Sequence, residues 1–213
     1  MTVRVGVLDY GSGNLHSVCR ALDAAGARVT LSSARTDLAT CQGLVLPGVG
    51  AFAACMDGLR AGGGAELVAD WAANRRPLLG ICVGHQVLFD SGVEHGVVTD
   101  GLGLLPGLVG RLEAKRLPHM GWNTVEASDC AMFGGLTGEH FYFCHSYGVR
   151  RLPPGLAEED VIWCNYEGTR FVAAVAAGHI WSTQFHPEKS GAAGGRLLSN
   201  WLDIASSREV DHD

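Results

Sequence analysis

In the N-terminal part of the chain, short apolar runs alternate with amphipathic stretches. Residues 3–8 are apolar and partly β-branched, which predicts a strand. Gly11-Ser12-Gly13 breaks that run. Leu15, Val18, Leu22 and Ala25 then recur at helical spacing, and Gly26 ends the helix. Residues 28–31 read as a second strand. Residues 43–46 read as a third, stopped by Pro47-Gly48-Val49-Gly50. Helical segments follow through Arg60 and over 65–73, and residues 77–81 are the next strand. Strands alternating with helices predict an α/β fold with a mostly parallel central sheet and flanking helices.

After about Asp90 the pattern changes. Residues 91–118 are rich in glycine and apolar residues with little helical period. Residues 122–126, 141–145, 161–166, 171–176 and 180–185 read as strands. Several are separated by short turns such as Glu167-Gly168-Thr169, which predicts antiparallel strands in the C-terminal half. Residues 192–205 form the last predicted helix, with Leu197, Leu198, Trp201 and Leu202 on its apolar side. No composition break marks a linker. The expectation is a single domain over 1–206 with a polar tail at 207–213, fraying from Ser206.

The 213 residues are 47% hydrophobic, enough for one sizeable core. The net charge of -6 and the lack of a basic patch argue against a nucleic-acid partner. No apolar run approaches the ~20 residues of a membrane span, and residues 1–7 lack the layout of a cleaved signal. The seven cysteines are odd in number and scattered, with no Cys-x-x-Cys. Neither a disulfide framework nor a zinc site is indicated, and free thiols fit a reducing, cytoplasmic compartment.

One cysteine stands apart. In Gly80-Ile81-Cys82-Val83-Gly84-His85-Gln86 an apolar run ends in a cysteine between glycines, and an amphipathic segment follows. That pattern predicts a strand-to-helix elbow presenting a nucleophile above a sheet edge. A helix N-terminus there favours the thiolate. The Val83 N–H is one expected oxyanion donor. The second should come from another strand end, and Val49 in Pro47-Gly48-Val49-Gly50 is the candidate. Downstream, His186 and Glu188 flank Pro187. Alternate residues of an extended chain face the same way, so the pair can supply a base and its orienting carboxylate. A His-x-Glu alone is more often a buried histidine beside a surface glutamate; beside the elbow the balance reverses.

Other candidates are weaker. Gly11-Ser12-Gly13 has the start of a dinucleotide fingerprint, but His16 stands where close helix packing needs glycine or alanine. No phosphate-binding Gly-x-x-x-x-Gly-Lys-Ser/Thr loop is present, and the nine histidines show no metal-ligand spacing. Cys144-His145 is a poor nucleophile–base pair, because adjacent residues of a strand point to opposite faces.

The elbow and Phe185-His186-Pro187-Glu188 resemble the motifs of the class I (triad) glutamine amidotransferases. Four further stretches extend the likeness from the first strand to the final helix. They are Asp9-Tyr10-Gly11-Ser12-Gly13-Asn14-Leu15, Leu46-Pro47-Gly48-Val49-Gly50-Ala51-Phe52, Pro118-His119-Met120-Gly121-Trp122-Asn123 and Tyr142-Phe143-Cys144-His145-Ser146-Tyr147. The resemblance implies a flavodoxin-like sheet and hydrolysis of L-glutamine through a Cys82 thioester, without cofactor or metal. It implies that Gln86, Ser146, Tyr147 and Gly50 hold the glutamine. It also implies a heterodimer with a separate (β/α)8 cyclase that receives the ammonia, with Asn14, Trp122 and Lys189 at or near the interface. In the family such subunits are nearly silent alone, and rotation of the 47–50 backbone aims the Val49 N–H at the oxyanion. Two other readings stay open: a glutaminase of another pathway, such as pyridoxal phosphate synthesis, and a catalytically silent binding module. A peptidase or deglycase on a similar elbow fits Gln86 and the His-Pro-Glu order less well. His85 stands where the family has methionine or another apolar residue, and its expected place is the helix surface.

Overall fold

The computed structural model describes residues 2–126 and 129–207. In chain order come β1 (Arg4–Leu8), α1 (Leu15–Ala24), β2 (Arg28–Ser32), α2 (Arg35–Leu38) and β3 (Gly43–Gly48). Next are α3 (Phe52–Ala61), α4 (Gly64–Ala73), β4 (Leu78–Cys82), α5 (Val83–Gln86), β5 (Phe89–Glu94), β6 (Val97–Asp100) and β7 (Leu105–Arg111). Then come β8 (His119–Thr124), β9 (His140–His145), β10 (Tyr147–Gly148), β11 (Val161–Tyr166), β12 (Thr169–Ala177), β13 (Ile180–Thr183) and α6 (Gly191–Ser207).

A seven-stranded sheet carries the fold, in the order β11-β12-β13-β4-β3-β1-β2. From β13 to β2 every pairing is parallel, while β11, β12 and β13 pair antiparallel. The apolar runs read from the sequence are the buried central strands: β3 and β4 are buried throughout. Glycines let helices close on both faces. A Cβ at Gly43 would strike Trp201 of α6, and one at Gly80 would strike the Gly84 carbonyl of α5 on the other face. The parallel pairing of β4 with β13 sets Ile81 beside Thr183. It therefore brings the chain after Cys82 and the chain after Thr183 to the same sheet edge, where sites form in open α/β sheets.

Several elements differ from the sequence reading. β3 runs on through Pro47 to Gly48. Its β1 partner reaches only Val45, so beyond that point the strand has a free side that tolerates a missing N–H. Residues 91–118 hold β6, β7 and most of β5, in a four-stranded sheet of order β10-β7-β5-β6. Gly92 there lies against the Phe52 ring and Gly101 against the Phe89 carbonyl. These glycines serve close packing and hide the strands' alternation. β8 starts at His119 and ends at Thr124, in register with β9 from His119↔His145 to Thr124↔His140. α6 includes Ser206 and Ser207, and residues 208–213 of the predicted tail lie outside the described residues. Among the described residues no helix is long and apolar enough to cross a membrane.

Candidate active site

Cys82 is the last residue of β4 and precedes a helix of one turn, Val83–Gln86. Its φ of 57° and ψ of -109° lie where a side chain is strained, at a cost of about 1–3 kcal/mol. Close packing holds it there. A Cβ on Gly84 would overlap the Leu46 carbonyl, and one on Gly48 would come within 2.6 Å of the Gly84 nitrogen. The Gly-x-Cys-x-Gly pattern thus lets β3, β4 and α5 approach one another backbone to backbone.

His186 follows β13 and enters a 3-10 turn, Pro187–Lys189. Its N–H donates to the Tyr142 carbonyl at 2.9 Å. Ser190 Oγ donates to the His186 carbonyl at 2.6 Å and accepts the Tyr142 N–H at 3.0 Å. The turn is thereby stapled to β9. His186 Nδ1 lies 2.8 Å from Glu188 Oε1, with both side chains buried. A carboxylate can only accept from the ring at neutral pH, so Nδ1 carries the proton and Nε2 is the basic nitrogen.

One cleft of about 380 Å³ is lined by Cys82, Val83, Gln86, His186 and Lys189 from these elements. Asn14, Val49, Gly50, Ser146 and Tyr147 close it from three other segments. Of the residues singled out in the sequence, Glu188 stands behind His186, and Trp122 lies off the cleft, 56% exposed, edge-on to Tyr142 at 6.0 Å. Glu94, Cys144 and His145 also line the cleft, where the sequence motifs do not place them. Glu94 sits on β5, inside the stretch whose strands the sequence hid. Cys144 and His145 both border the cleft although they are strand neighbours, because it wraps the end of β9.

Local physics sharpens two expectations and corrects a third. First, no thiolate is preformed: burial and the Glu188 charge push the Cys82 thiol up to about 12. The Val83 N–H against the sulfur works in the opposite direction, but α5 is too short to carry much dipole. Second, the Val49 N–H does not face the cleft freely. It donates to Ser12 Oγ at 3.4 Å, while the Val49 carbonyl accepts from Ser12 Oγ at 3.0 Å and from the Cys55 thiol at 3.4 Å. The Gly11-Ser12-Gly13 turn is therefore engaged with the Pro47–Gly50 loop. Third, His85 is fully buried rather than on a helix surface. A single turn wedged on the sheet has no solvent face, and all four residues of α5 are buried. His85 Nδ1 lies 2.7 Å from Ser182 Oγ on β13, and its ring meets Phe89 edge-on at 5.1 Å.

Among the described residues no group of three or more His, Cys, Asp or Glu side chains is arranged to hold a metal. The cleft holds a nucleophile, a buried base with its carboxylate, a backbone donor and further polar groups, which suits acyl transfer.

Residues 6–204 match the family model described as glutamine amidotransferase class-I. The chain is 55% identical over 205 residues to a Cutibacterium acnes protein named imidazole glycerol phosphate synthase subunit HisH, covering 96% of this chain and 98% of that one. A Thermobifida fusca protein of the same name is 54% identical over 209 residues, covering 95% and 99%. A crystal structure of a glutamine amidotransferase superposes with a TM-score of 0.74 at 23% identity, covering 95% of this chain and 98% of that one. The structure of PurLQS from Thermotoga maritima gives 0.67 at 20%, covering 96% and 99%. At those identities the two structures speak for the fold alone.

Proposed function

This chain belongs to the class-I glutamine amidotransferase family and, within it, to the HisH subunits of imidazole glycerol phosphate synthase, and from that premise we propose how its cleft works. Cys82, His186 and Glu188 hydrolyse L-glutamine to glutamate and ammonia. The ammonia passes to a separate (β/α)8 cyclase subunit, which forms imidazole glycerol phosphate and aminoimidazole carboxamide ribotide in histidine biosynthesis. The observation that carries this reading is the meeting of the strained Cys82 elbow and the buried His186–Glu188 pair at one cleft.

In the proposed sequence the Cys82 sulfur attacks the side-chain amide carbon of glutamine while its proton passes to His186 Nε2. Glu188 steadies the imidazolium through Nδ1–H. The tetrahedral oxyanion accepts from the Val83 N–H and, once the Val49 peptide has left Ser12, from the Val49 N–H. The C–N bond then breaks and His186 protonates the departing ammonia. Water, deprotonated by the same imidazole, cleaves the thioester and frees glutamate. Both Nε2 hydrogens of Gln86 are committed, to the Tyr147 carbonyl and Gln184 Oε1 at 2.9 Å each. Its Oε1 is left as an acceptor for the glutamine α-ammonium, with the Glu94 carboxylate as the complementary charge. Ser146, Tyr147 and Gly50 complete the substrate site.

Met120 and Trp122, exposed at 61% and 56% on the outer face of β8, are taken as part of the cyclase-docking surface with Asn14 and Lys189. The odd number and scattered spacing of the seven cysteines fit a cytoplasmic home. Glutamine hydrolysis by the chain alone and with the cyclase and its nucleotide ligand tests the reading. The complex should be faster by at least about tenfold, some 1.4 kcal/mol of barrier. A rate that the cyclase leaves unchanged would count against it.

A further inference from the structure

Two buried histidines outside the triad, His119 on β8 and His145 at the end of β9, stand in an unbroken polar line to the cleft. The direction of each hydrogen bond in that line is dictated. His145 Nδ1 lies 2.8 Å from the Tyr147 carbonyl, which can only accept, so Nδ1 bears the hydrogen. His145 Nε2 lies 3.2 Å from His119 Nδ1. Burial pushes His145 down to about 3 and His119 down to about 4, so both rings are neutral at pH 7. With its proton on Nδ1, His145 presents a bare Nε2, and His119 must donate to it from Nδ1. His119 Nε2 is then also bare and accepts from Asn123 Nδ2 at 3.4 Å. Asn123 is itself oriented: its Nδ2 donates to the Asn165 carbonyl at 3.0 Å, and its Oδ1 accepts the Thr124 N–H at 2.9 Å.

At the other end, the Tyr147 carbonyl accepts twice, from His145 Nδ1–H and from Gln86 Nε2–H. That second bond fixes which way round the Gln86 carboxamide stands. A flipped Gln86 would set its oxygen against the Tyr147 carbonyl, which can only accept, and would turn an N–H toward the substrate's ammonium. We infer that His119 and His145 are positioning residues for glutamine: they hold the Tyr147 peptide so that it locks the Gln86 carboxamide with its oxygen toward the substrate. This rests on the glutaminase reading of the cleft. Ring packing does not account for the line. His119 is stacked between Phe143 at 4.7 Å and Tyr166 at 4.0 Å, and any aromatic ring would serve there without the nitrogens.

The test is steady-state glutamine hydrolysis in the complex with the cyclase. His119→Phe keeps the stacked ring and removes both nitrogens. His145→Leu removes the whole donor. His145→Asn keeps a donor near the Nδ1 position. The first two should raise KM for glutamine about tenfold, as expected for loss of an orienting hydrogen bond. Their kcat should stay within about threefold, and Cys82 alkylation by iodoacetamide should be unchanged. His145→Asn should recover most of the KM. The inference is overturned if His119→Phe and His145→Leu both keep KM within about twofold of wild type, or if His145→Asn is as impaired as His145→Leu. A wild-type complex that hydrolyses no glutamine would sink the glutaminase reading along with it.

Discussion

At rest Cys82 carries its proton, since burial and the Glu188 charge push the thiol up to about 12. A raised thiol pKa means that the thiolate fraction keeps growing well above pH 8.5. Alkylation of Cys82 in the isolated chain, followed on its own peptide by mass spectrometry, should therefore still be accelerating at pH 9–10. A plateau below pH 8 would instead reveal a standing thiolate–imidazolium pair. His85 makes a second case at this scale. It does not border the cleft, so His85→Met should leave turnover within a few-fold, and a loss of orders of magnitude would contradict that placement. Its Nε2 has no partner and its Nδ1 faces Ser182 Oγ, so the pair is coupled. Either single change, His85→Met or Ser182→Ala, should cost about 1–3 kcal/mol, and the double change clearly less than their sum.

Elements matter through how closely they approach. The Cys82 conformation depends on α5 seating against β3, and Gly84 is the point of nearest contact. Gly84→Ala should cost about 3 kcal/mol, a fall in Tm of roughly 6–12 °C, and should lower glutamine turnover as the elbow opens. An unchanged Tm would mean that the elbow is not held by this contact. The same logic marks what the sequence could disclose. β1, β3, β4 and α1 were legible because buried parallel strands and an amphipathic helix write their periods plainly. The elbow was legible because its glycines flank a cysteine. β5, β6 and β7 were not, since Gly92 and Gly101 there answer to Phe52 and the Phe89 carbonyl, contacts far along the chain. The shortness of α5 was hidden as well, because the buried side chains of Val83 to Gln86 look the same at the start of a longer helix. Glu94 and His145 reach the cleft only through pairings that no local pattern records.

For the whole molecule, three buried neutral histidines set the response to acid. His85 and His145 are pushed down to about 3 and His119 to about 4, each mainly by burial. Above the unfolded value near 6.5 both states are neutral and pH has no hold on these groups. As pH falls below that value the unfolded chain binds three protons that the folded one refuses, so stability is lost. The slope should approach about 4 kcal/mol per pH unit between roughly pH 6 and 4.5. Urea unfolding across that range checks it, and a slope below about one proton would mean that the histidines charge in place. Above this stands the parallel seam of β4 and β13, which joins distant halves of the chain into one cleft. The most direct test of that assembly as a glutaminase is Cys82→Ala in the complex with the cyclase, measured with glutamine and then with ammonium salt as nitrogen source. The expected result is loss of glutamine-dependent synthesis with ammonia-dependent synthesis intact; glutamine turnover surviving in that variant would contradict the account.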